Sequence, residues 1–111
     1  MVTTDPKAKV DESPIVISEI EVDGVRLVAR EPVSYEVTFV ADTSEPFYEI
    51  EGPPDILLFA ETRELLLDVL EDDLQFLWRR FAVGDQSNLD GMAQQVGAEM
   101  RRLFIRESDA P

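Results

Sequence analysis

Residues 61–81, ETRELLLDVLEDDLQFLWRRF, form the stretch on which the reading of this chain turns. Leu66, Val69, Leu70, Leu74, Leu77 and Phe81 recur three and four residues apart, the spacing that lines one face of a helix. Thr62 is a suitable N-cap, and Glu64 in the first turn complements the positive end of the helix dipole. Arg79 and Arg80 suit the opposite end, and Gly84 is a natural stop. Leu65, Leu67, Phe76 and Trp78 widen the stripe beyond one face. A helix with apolar residues left over lies between two layers of its own domain or against a second copy. Phe76 and Trp78 are therefore the candidates for a homodimer interface, where aromatic residues and arginine are enriched.

The same helix carries more carboxylates than it can neutralise. Glu64, Asp68 and Asp72 stack at four-residue spacing as like charges, each adjacent pair costing roughly 0.2–0.5 kcal/mol. With Glu61 and Glu71 they form a candidate surface for a cationic partner. None has an arginine three or four residues further on. Relief must come from salt, from Arg101, Arg102 and Arg106 of a later helix, or from another molecule. A metal site is not expected at Glu71-Asp72-Asp73, because consecutive helical residues point about 100° apart and cannot converge on one ion.

Upstream of this helix the pattern changes to alternation. PIVISEIEVDGVRLVAR (14–30) predicts a hairpin, with Asp23-Gly24 supplying the two positive-φ positions of a type I′ turn. Val16, Ile20 and Val22 are matched there with Val25, Leu27 and Ala29. Pro32 is expected to end the second strand. VSYEVTFVA (33–41) follows as a third, with Val33, Tyr35, Val37, Phe39 and Ala41 on one face and Ser34, Glu36 and Thr38 on the other. Phe47–Glu51 reads as a short fourth strand, broken at Gly52-Pro53-Pro54-Asp55. Ile56–Ala60, apolar throughout, reads as a buried fifth strand in preference to the lead into the helix. The links are too short for crossover helices, so the sheet is expected to be antiparallel.

Downstream, Ser87-x-x-Asp90 resembles a capping box opening a second helix at Ser87 or Asn88. Its stripe is Leu89, Met92, Ala93, Val96, Met100, Leu103 and Phe104. Gly91 and Gly97 each cost about 1 kcal/mol relative to alanine inside a helix. Ala93 and Gly97, four apart, would admit another backbone closely. The expected architecture is α+β: an antiparallel four- to five-stranded sheet followed by two helices forming a helical hairpin. Residues 1–13 are expected to be a flexible N-terminal arm, 14–107 a single domain and 108–111 a tail.

With 111 residues, 44% of them hydrophobic, there is material for one modest core. No apolar run is long enough to cross a bilayer, and no apolar segment follows the early lysines as in a signal peptide, so the cytoplasm is the expected location. The chain has neither cysteine nor histidine. That removes thiol chemistry, thiolate metal sites and the commonest general base, and no nucleophile elbow or glycine-rich phosphate loop replaces them. No enzyme activity and no cofactor is expected.

The formal charge is −14, which disfavours direct binding to nucleic acid or to an anionic membrane and permits a basic partner. It is unevenly spread. Asp42 to Asp73 holds eleven acids and a single base, Arg63, a local charge of −10. Arg79 to Glu107 holds five arginines against four acids.

Tyr48–Leu70, YEIEGPPDILLFAETRELLLDVL, resembles the segment of HicB-like antitoxin domains in which a short strand meets an apolar strand. A small-acidic-Thr turn, here Ala60-Glu61-Thr62, then leads into a leucine-rich helix. The resemblance covers roughly residues 15–80 and implies a small α+β domain that neutralises a basic protein partner. Ala60 stands where the turn usually has glycine. The C-terminus holds one helix rather than a helix-turn-helix or ribbon-helix-helix DNA reader, so operon autorepression does not carry over. The expected function is a small acidic protein-binding module, antitoxin- or immunity-like. The alternatives are a nucleic-acid mimic, which requires the acids from Asp42 to Asp73 to form one continuous ridge, and a homodimeric accessory domain.

Overall fold

The computed structural model describes residues 10–84 and 87–111. Four strands form an antiparallel meander in the order β1 (Ile15–Val22), β2 (Val25–Val40), β3 (Phe47–Gly52), β4 (Ile56–Ala60). Helix α1 (Arg63–Leu77) follows and continues into a π-helical turn, Trp78–Ala82. Then come α2 (Gly91–Leu103), a short β5 (Phe104–Arg106) beside β2, and a 3-10 turn at Glu107–Asp109. The fold class is the α+β expected from the sequence. The hairpin turn is also as expected, with φ of 53° at Asp23 and 81° at Gly24.

The strands differ from expectation at Pro32. Instead of ending a strand there, the chain runs on as β2 for 16 residues. Pairing with β1 shifts between Ile17↔Val33 and Glu19↔Val28, while β5 reaches only as far as Ala29 and β3 begins at Glu36. Pro32 thus falls in a bulge where no ladder needs its missing N–H. The bulge has a counterpart in β1: Ser18 and Glu19 are both exposed, so Ile15 and Ile17 before them, and Ile20 and Val22 after them, face the same core. Val16, grouped by its spacing with Ile20 and Val22, faces outward while those two are buried.

The buried residues of the first helix are Leu66, Leu70, Leu74, Trp78 and Ala82, spaced strictly by four. In an α-helix of 3.6 residues per turn such a row drifts by about 40° at each step. The wider π turn offsets this drift and brings Trp78 and Ala82 back to the core. Trp78 is 8% exposed within its own domain, so it does not supply the interface expected of it. Thr62 caps α1 as expected, its hydroxyl accepting from the Leu65 N–H at 3.1 Å.

Helix α2 begins later than expected. Its cap is Asp90, whose carboxylate accepts from the Ala93 N–H at 2.8 Å. Gly91 is therefore the first helical residue rather than an interior one, and Phe104 opens β5 rather than extending the helix. Met92 is exposed, while Met100 and Phe104 are fully buried. Gly97 packs where the notch at this position was expected to admit a backbone: a Cβ there would collide with the carbonyl of Phe81.

The expected arm, residues 1–13, lies mostly outside the described residues; its last part is fastened. The Arg63 guanidinium donates to the carbonyls of Asp11, Ser13 and Pro14 at 2.9, 2.7 and 3.4 Å. Glu12 accepts from the Phe39 N–H at 2.9 Å. At the other end, the expected tail from residue 108 begins inside the 3-10 turn.

Candidate functional site

Because α1 buries Leu66, Leu70 and Leu74, the residues half a turn away are forced toward solvent. Glu61, Glu64, Asp68 and Asp72 are exposed there, and Glu71 is half-buried on the flank. Leu65 and Phe76, each 49% exposed, lie on the same side. The face is thus a mixed one, acids interleaved with two large apolar side chains. Phe76 is held in place by an edge-on contact with Phe81, the centroids 6.0 Å apart, and Arg80 lies 5.7 Å above the Phe81 ring.

No ion pair reaches these five acids among the described residues. The arginines expected to relieve them are directed elsewhere. Arg101 donates to the Ala82 carbonyl at 3.1 Å, Arg102 pairs with Glu99, and Arg106 lies in a groove lined by Arg30 and Trp78. Arg63, the one base in the acidic stretch, reaches back toward the arm and lies 3.6 Å from the Asp11 carboxylate. The Asp11 carboxyl is held below its ordinary value, mainly by hydrogen bonds from the Ser13 hydroxyl and N–H and less by Arg63.

Asp73, on the other flank of α1, is half-buried, and desolvation raises its pKa. Glu71, Asp72 and Asp73 splay around the helix as consecutive residues must. Among the described residues no three carboxylates are grouped to hold an ion, and no helix is long and apolar enough to cross a membrane.

A second acidic surface escaped the sequence reading. Glu36 and Glu51 are directly paired across β2 and β3, on the sheet face away from α1, and Glu51 is matched in turn with Leu57 of β4. Glu49 is matched with Thr38 on one side and Phe59 on the other. Like charges directly opposite each other oppose strand pairing. Ile56–Ala60, expected to be a buried strand, is the sheet's edge, with Leu57 and Phe59 exposed. Phe47 meets Phe59 edge-on at 5.5 Å. The alternation of acids and large side chains in FYEIE and ILLFA carried this signal, but only the strand register puts the two rows together.

The acids between Asp42 and Asp73 therefore occupy opposite sides of the molecule: Glu49 and Glu51 on the outer sheet face, Glu64, Asp68 and Asp72 on the far side of the helix layer. They do not form the single ridge that phosphate mimicry requires. Comparison with protein-family models, with curated proteins and with solved structures finds no match for this chain.

Proposed function

We propose that this chain is a non-catalytic protein-binding module that neutralises a basic partner, in the manner of antitoxin and immunity proteins, through the solvent face of α1. One observation carries the proposal. Glu61, Glu64, Asp68 and Asp72 stand exposed without a counter-charge among the described residues, although eight arginines are present in the chain. Acids in that state repel one another until a cation arrives, so a partner's lysines and arginines gain more here than at paired carboxylates. Leu65 and Phe76 add apolar area between the charges, and a fixed aromatic side chain is the kind of anchor on which binding energy concentrates.

A second copy of the chain fits this face less well. A two-fold contact through it would set the same acids against themselves. The resemblance of residues 48–70 to HicB-like antitoxin domains agrees with a protein partner and adds no binding residue. The test is isolation of partners from the source cells at low and at high salt. A basic protein held at low salt and released at high salt supports the proposal; recovery of no basic protein at low salt overturns it.

A further inference from the structure

The chain's eight arginines divide sharply by what they face. Arg26, Arg63, Arg79 and Arg102 each lie beside a carboxylate, and Arg80 lies over the Phe81 ring. The remaining three, Arg30, Arg101 and Arg106, have no carboxylate at ion-pair distance among the described residues. All three line the same groove, about 340 Å³ in volume. In a protein with 24 acids and 10 bases, convergence of three such cations on one hollow calls for a physical reason.

The groove lies where four elements meet. Arg30 stands in the β2 bulge, Arg101 in the last turn of α2, Arg106 in β5, and Trp78 in the π turn. Two of the cations are oriented by the backbone. Arg101 Nη1 donates to the Ala82 carbonyl at 3.1 Å, and Arg30 Nε donates to the Arg101 carbonyl at 3.2 Å, which leaves its terminal nitrogens without a partner among the described residues. Trp78 contributes an aromatic edge, 8% exposed, and Phe104 lies fully buried beneath it. Asp109 also lines the groove, yet it forms no ion pair with any of the three. A hollow this small keeps three guanidinium groups within about a Debye length of one another, where salt does not fully relieve their repulsion.

We infer that this groove binds a small organic anion, with a carboxylate or phosphate head held by Arg30, Arg101 and Arg106 and a flat apolar body against the exposed edge of Trp78. Guanidinium forks match both head groups, and apolar lining plus a few convergent polar groups is the usual make-up of a ligand site of this volume. The site is separate from the acidic face of α1, and neither depends on the other.

Trp78 is the only tryptophan, so its fluorescence reports on the groove in the full chain. Titration at low ionic strength with phenyl phosphate and with benzoate is expected to give a saturable change with at least one. The tighter of the two identifies the head group. Arg106→Gln, which removes an exposed side chain with no partner among the described residues, should weaken that binding about tenfold without moving the thermal midpoint. Arg30→Gln should weaken binding similarly, with a slightly lower thermal midpoint because its hydrogen bond to the Arg101 carbonyl is lost, and serves as the second variant. Inorganic phosphate should bind more weakly than phenyl phosphate, and benzyl alcohol should not bind. The inference is overturned by no saturable change with either aryl anion or by unchanged affinity in both variants. It is equally overturned by benzyl alcohol or inorganic phosphate binding as tightly as the aryl anions.

Discussion

The carbonyl oxygen of Phe81 occupies the place where a side chain on Gly97 would begin. This contact joins the π turn to α2 backbone against side-chain-free backbone, and it sets how closely α2 lies over the bent part of β2. Gly97→Ala cannot be absorbed by a flexible neighbour, because the obstructing atom is main chain. Overpacking of this kind costs up to about 3 kcal/mol. The variant should show that loss as a lower urea midpoint, with Met100 and Phe104 becoming less protected from amide exchange.

Tyr35 is fully buried, and its hydroxyl has no hydrogen-bond partner among the described residues. Burial, assisted by the charge of Asp73, pushes its pKa well above the ordinary 10. Above pH 10 the unfolded chain can ionise this phenol and the folded chain resists, so the fold should lose stability as pH rises beyond that point. Tyr35→Phe removes an unsatisfied buried hydroxyl and should stabilise the protein by about 1 kcal/mol at neutral pH. It should also flatten the alkaline decline, read as thermal midpoint against pH.

Asp73 behaves in the same direction at the acid end. Its folded pKa lies above the ordinary 3.8 because of desolvation. The folded state therefore holds its proton longer than the unfolded state, and this group's contribution to stability falls as pH rises from 3.8 through the raised value, then stays level. Asp73→Asn should be more stable than the parent at neutral pH. The advantage should shrink on acidification and vanish below pH 3.8. Chemical denaturation at a series of pH values checks this.

Arg63 ties Asp11, Ser13 and Pro14 to the start of α1. Arg63→Ala should cost about 1–2 kcal/mol, since hydrogen bonds from a charged donor are lost, and should speed amide exchange and proteolysis at residues 11–14. Affinity for a basic partner should not fall, because Arg63 faces the arm rather than the exposed acids. A fall would place the arm inside the binding surface.

Local chemistry was legible in the sequence, and long-range destinations were not. Asp23-Gly24 specified its turn through backbone preference, Thr62 its cap, and Leu66, Leu70 and Leu74 their buried face, all within a few residues. Pro32 was misread because its tolerance depends on where β1, β3 and β5 leave the ladder. The clue was there in IVISEIEV, where the inward positions slip by one at Ser18-Glu19. Ile56–Ala60 looked like an interior strand because an apolar run does not say whether one neighbour or two will cover it. For the candidate site, the like-charged spacing of Glu64, Asp68 and Asp72 could be read directly. That Arg101 would turn to the Ala82 carbonyl, leaving those acids alone, could not.

The central claim is that the unpaired acids of α1 bind a cationic protein. Its most direct test compares the full chain with the triple variant Glu64→Gln, Asp68→Asn, Asp72→Asn as bait at low salt. Relief of like charges at four-residue spacing offsets the loss of Glu64 at the positive end of the helix dipole, so stability should stay within about 1 kcal/mol of the parent, and a thermal melt of the variant keeps a lost interaction from being ascribed to unfolding. The account predicts a basic protein retained by the parent and lost from the folded triple variant. Equal retention by both would contradict it.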